Sequence, residues 1–154
     1  MRFHLAHVNI AFMHGSLDEP VMAGFTRRIE EINRLAEQSK GFVWRVGDVE
    51  AEKLEPFEAA FPGFRRDRFL YNMSVWESFE DLKDYTLFSA HAEMLNDRHL
   101  WIDRVAGASV ALWWIPEGYR PDVVESVERL RRVGERGPTP AAFTLRVSFP
   151  PPES

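Results

Sequence analysis

Arg2-Phe3-His4-Leu5-Ala6-His7-Val8-Asn9-Ile10-Ala11-Phe12 alternates residue by residue. His4, Ala6, Val8, Ile10 and Phe12 share one face, and Phe3, Leu5, His7, Asn9 and Ala11 share the other. Period two over that length is the pattern of a β-strand, whose successive side chains leave opposite faces of the pleat.

Beyond a turn, Asp18-Glu19-Pro20 opens a helix with an acid at the cap and Pro in the first turn. Met22, Phe25, Ile29, Ile32 and Ala36 then make one apolar stripe, and Gly41 closes the helix. Phe42 to Val49 reads as a second strand. Residues 51–68, acidic and then rich in Pro, Gly and Arg, read as a long surface loop.

Phe69 to Trp76 alternates Tyr71, Met73 and Val75 against Asn72, Ser74 and Trp76, a third strand. Ser78-Phe79-Glu80-Asp81 starts a second helix that runs to about Asp103, either continuous or broken near Ser89. Ala108 to Ile115 is a fourth strand, stopped by Pro116-Glu117-Gly118. Pro121-Asp122 opens a last helix with Val123, Val127 and Leu130 buried, and with Glu125/Arg129 and Glu128/Arg132 paired on the wet side. Phe143, Leu145, Val147 and Phe149 alternate into a short final strand ahead of a Pro-rich tail at 150–154.

The order β-α-β-β-α-β-α-β over one domain, 1–154, is α+β. Its first six elements match the ferredoxin-like split βαβ arrangement, an antiparallel sheet with helices on one face. The other face needs a cover, and a second copy of the chain is the simplest one.

Composition narrows the partners. The 154 residues include twelve Phe and five Trp, more aromatic surface than one small core hides, so part of it is expected in a pocket or interface. A net charge of −5, with the Arg doublets scattered, argues against nucleic acid or an anionic membrane as partner. The absence of Cys excludes disulfides, thiolate nucleophiles and Cys-based metal sites. With no signal-peptide run and no membrane-length apolar stretch, a cytoplasmic location is expected.

Several stretches resemble a known family. They are Gly41-Phe42-Val43-Trp44-Arg45; Val75-Trp76-Glu77-Ser78-Phe79-Glu80-Asp81-Leu82 running into Ser89-Ala90-His91 and Arg98-His99-Leu100-Trp101; Ala111-Leu112-Trp113-Trp114-Ile115-Pro116-Glu117-Gly118-Tyr119-Arg120-Pro121; and Gly137-Pro138-Thr139-Pro140. Together they are similar to a bacterial domain family of unknown function (number 3291), grouped with the dimeric α+β barrels near the antibiotic-biosynthesis-monooxygenase-like proteins. The resemblance implies a dimeric α+β barrel. It leaves activity open, because that superfamily includes oxygenases, isomerases, haem proteins and simple binders. Trp76-Glu77-Ser78 and Ser89-Ala90-His91 correspond to segments of the monooxygenase-like relatives. Asn9, Tyr85 and His91 are the nearest equivalents of residues used by haem-degrading ones, with the aromatic and the His closer together here.

Two sets of residues carry candidate chemistry. On the second helix, Leu87, His91, Met94, Arg98 and Trp101 form a stripe that mixes His and Arg with apolar groups, beside an ordinary core stripe of Phe88, Ala92, Leu95, His99 and Ile102. A His at such a margin is a base candidate or a structural hydrogen-bonding group. On the first strand, His7 and Asn9 share a face and need partners or a ligand. Trp44, Trp76, Trp113 and Trp114 are core, interface or stacking walls. The His spacings are too loose for a metal, and no phosphate loop, nucleophile elbow or dinucleotide fingerprint occurs.

The leading expectation is a cofactor-free monooxygenase or isomerase-type enzyme acting on a small, flat, hydrophobic molecule. His91 or His7 would be the base, with Asn9, Asn72 and Arg98 as hydrogen-bond donors and Trp44, Trp76 and Trp113 as walls. The alternatives are a non-catalytic homodimeric protein that binds a small molecule or haem, and a fold that serves assembly only.

Overall fold

The computed structural model describes residues 1–47, 49–61, 63–88, 97–103 and 107–153. Its strands are β1 (Phe3–Met13), β2 (Phe42–Arg45), β3 (Phe69–Trp76), β4 (Ile102–Asp103) and β5 (Val110–Pro116). Its α-helices are α1 (Ala23–Gln38), α2 (Glu55–Ala60), α3 (Phe79–Phe88) and α4 (Val123–Arg136).

β1 is central. It pairs antiparallel with β3 along one edge, from Leu5↔Trp76 to Phe12↔Phe69. Along the other edge it pairs first with β5 and then, at Phe12 and Met13, with β4. β2 lies outside β3, with a bulge at Val43. The all-antiparallel order β2-β3-β1-β5 is compatible with a ferredoxin-like fold.

Alternation sorts the side chains into two apolar faces. Ala6, Val8 and Ile10 of β1 share a core with Met73 and Val75 of β3 and with Ala111, Trp113 and Ile115 of β5. Leu5, Trp76 and Leu112 point the other way and pack with Ala36 of α1, Leu82 of α3 and Phe143. A third cluster, Met13, Met22, Phe25 and Trp101, closes the end where β4 joins β1.

The first face is covered by the chain itself. Leu130 of α4 and Leu54 and Phe57 of the 51–60 segment belong to its core, and Ala6, Val8 and Trp113 are at most 1% exposed in a single chain. A second copy is therefore not needed to bury this face, which corrects the physical basis expected for a dimer.

α4 forms as its sequence predicts. Asp122 caps it by accepting the Glu125 backbone N–H at 2.8 Å, and Gly137 ends it at φ 71°, a conformation that favours glycine. Glu128 and Arg132 pair across one turn at 3.1 Å. Glu125 and Arg129, expected as a surface pair, are instead drawn to Trp113. The Glu125 carboxylate accepts the indole N–H at 2.7 Å, and the Arg129 guanidinium lies over the ring, 5.8 Å from its centroid.

Three local expectations change. The segment expected as a loop contains a 3-10 turn (Ala51–Leu54) that runs into α2, because Phe57 finds Phe69 at 5.0 Å and Tyr71 at 5.2 Å between ring centroids. The expected final strand is reduced to a single bridge, Leu112↔Phe143. The chain turns back there, with Val147 N–H bonded to the Thr144 hydroxyl, so that Phe149 packs on Phe143. Arg98–Leu100 is a 3-10 turn and Ile102–Asp103 is strand, so these residues do not extend the second helix. His14 holds this return to β1 through the Leu100 carbonyl and the Asp103 carboxylate, both at 3.0 Å. Among the described residues, no helix is long and apolar enough to cross a membrane.

Candidate functional site

The α1/α3 side of the sheet has an apolar surround and a polar centre. Odd-numbered residues of β1 and even-numbered residues of β3 face this side, so the register brings His7 opposite Ser74 and Asn9 opposite Asn72. Directly opposed antiparallel residues hold their Cβ atoms about 4.5–5.5 Å apart, close enough for the four side chains to act on one molecule. His7, Asn9 and Asn72 are half-buried, and Ser74 is 7% exposed.

One end of this group is built by Trp76, 1% exposed. Its indole N–H donates to the Ser74 hydroxyl oxygen at 2.9 Å. With its oxygen engaged as acceptor, Ser74 keeps its own proton to donate. The Trp76 ring stacks on Tyr85 of α3 at 5.1 Å and meets Phe42 edge-on at 5.6 Å. The Tyr85 hydroxyl donates to the Ile32 carbonyl of α1 at 3.2 Å, which ties both helices to this wall. Burial pushes Tyr85 up to about 12, with the Arg45 charge pulling the other way. On the β5 side the partners of His7 and Asn9 are Leu112 and Val110.

The other expected site residues do not join this group. Trp113 is the register partner of Ala6, and Trp44 that of Val75, so both lie on the opposite face of the sheet from His7 and Asn9. Trp113 is closed in by Glu125 and Arg129. Trp44 lines a cleft of about 750 Å³ between the 49–59 segment and the start of α4. Arg98 is exposed in its 3-10 turn, and the neighbouring Asp97 pairs with Arg28 at 2.7 Å. His91, with Ser89 and Met94, lies outside the described residues.

Ser74 was missed as a site residue, although the alternation of β3 already put it on the face of Asn72 and Trp76. The cleft was missed because the 51–68 segment read as a loop.

Chemically, an imidazole, two amides and a hydroxyl on an apolar wall can take up a proton and hold an oxygen that gains negative charge. Among the described residues, no three His, Asp or Glu side chains are grouped to hold a metal ion. A family model described as a domain of unknown function (DUF3291) matches residues 4–154. No curated protein and no solved structure matches the chain.

Proposed function

The chain belongs to the DUF3291 family, and we propose that it is a cofactor-free enzyme of the monooxygenase or isomerase type acting on a small, flat, hydrophobic molecule. The observation that supports this reading is the cross-strand square of His7, Ser74, Asn9 and Asn72 in the middle of an otherwise apolar sheet face. In this reading the substrate lies against the Trp76–Tyr85 wall. His7 takes a proton from a phenol-like group, and the amides of Asn9 and Asn72 hold the oxygen as charge develops on it. The resulting anion then rearranges or reacts with dioxygen. His91 is the alternative base.

The reading extends to membership of the dimeric α+β barrels, to a homodimer and to a cytoplasmic setting. Because α4 and Phe57 already cover the Ala6–Val8 face, the pair would form through another surface. Leu87 and Leu100, 48% and 51% exposed, supply apolar side chains for it.

The test is to offer the protein a panel of electron-rich phenols and hydroquinones while following oxygen uptake and product isomers. Turnover that disappears in His7→Ala and persists in His91→Ala supports the assignment. The reverse pattern moves the base to His91. No turnover on any phenol, together with a strong visible band on haem titration, replaces the enzyme with a haem-binding protein.

A further inference from the structure

On the face opposite the polar square, the cleft of about 750 Å³ falls within the range of small-molecule pockets, roughly 300–1,000 Å³. Its floor is apolar: Trp44 of β2, Val46 just beyond it, Met73 of β3 and Val123 at the start of α4. Its rim is acidic. Glu50, Glu52, Glu55 and Asp122 line it with Lys53, four carboxylates to one ammonium, and the Arg120 guanidinium reaches the Trp44 ring beside them.

The carboxylates are not equivalent. Asp122 is occupied in capping α4. Glu50, Glu52 and Glu55 are exposed, and among the described residues none of them is in an ion pair, whereas their neighbour Glu58 pairs with Arg66. The indole of Trp44 already attracts a cation, since the Arg120 guanidinium sits 5.3 Å from its ring centroid. An aromatic face beside an excess of carboxylates attracts positive charge by its quadrupole and by Coulomb's law together.

We infer that this cleft is a ligand site, separate from the His7–Asn72 square, for a small apolar molecule carrying a protonated amine. The apolar body lies on Trp44, Met73 and Val123, and the ammonium sits among Glu50, Glu52 and Glu55. Neutral ligands gain only the floor, and carboxylates meet the repulsion of the rim. Because the rim charges are exposed, the selectivity is screened by salt.

The experiment uses the full chain labelled with nitrogen-15 and three probes of similar shape: 2-phenylethylamine, 2-phenylethanol and 3-phenylpropionate. The indole N–H signal of Trp44 is assigned by its loss in Trp44→Phe. The amine is expected to shift that signal saturably, with affinity falling at least about fivefold between about 50 and 500 mM salt. The same loss is expected in Glu52→Gln/Glu55→Gln, and Val124→Lys, at a 63% exposed cleft position, should remove the shift with the fold intact. Equal shifts from the alcohol or the carboxylate overturn the charge assignment. No saturable shift of Trp44, or a shift confined to Trp76, overturns the site.

Discussion

The Glu125 carboxylate accepts the indole N–H of Trp113 at 2.7 Å and so ties α4 to the sheet face that it covers. Trp113 is 1% exposed, which leaves its N–H no water to turn to. Glu125→Ala should cost about 1–3 kcal/mol by leaving that donor unpaired. Urea unfolding of Glu125→Ala, Trp113→Phe and the double variant forms a cycle with a positive coupling expected. A Glu125→Ala protein within about 0.5 kcal/mol of the parent would show that the bond contributes nothing.

Phe57 is fully buried within the segment whose composition suggests a loop. Phe57→Ala should therefore destabilise the chain by about 3–5 kcal/mol, as expected for a large aromatic removed from a core. Thermal unfolding of this variant beside a surface control, Glu58→Ala, measures it. An effect no larger than the control's would mean that α2 is not docked on the sheet.

Alkaline stability should depend on two half-buried phenols. Burial pushes Tyr71 up to about 12, with its Ser126 hydrogen bond opposing and Asp122 adding, and burial likewise pushes Tyr85 up to about 12. The folded state keeps both neutral, while in the unfolded chain they ionise near the ordinary 10.0. Their contribution is thus whole below about pH 10 and is lost as pH rises through about 12. The fall in unfolding free energy over that window should flatten in Tyr71→Phe/Tyr85→Phe. An identical slope in the double variant would refute the linkage.

At the polar square, Asn72→Ala should lower kcat by about 10²–10³ on the true substrate, the loss typical of one donor removed from a developing oxyanion. Near-unchanged kcat with a raised KM would instead make Asn72 a binding group only.

The alternation of residues 3–13 and 69–76 was legible because period two is a property of the extended backbone, independent of what packs against it. It placed Asn72, Ser74 and Trp76 on one face, and the start of α4 was legible from Asp122 for the same local reason. Less was legible of the site. Grouping Trp44 and Trp113 with His7 and Asn9 ignored the register, which puts Trp113 beside Ala6.

By itself, then, the sequence determined strands β1, β3 and β5, their two-faced patterning and the capped start of the last helix, since caps, turns and alternation act within a few residues. Only the tertiary structure decided that α4 and Phe57 fold back over the Ala6–Val8 face, that Glu125 and Arg129 serve Trp113, and that His7 meets Ser74. Those outcomes join residues dozens of positions apart. They depend on which apolar surfaces lose the most water when they meet, a comparison that no local pattern contains.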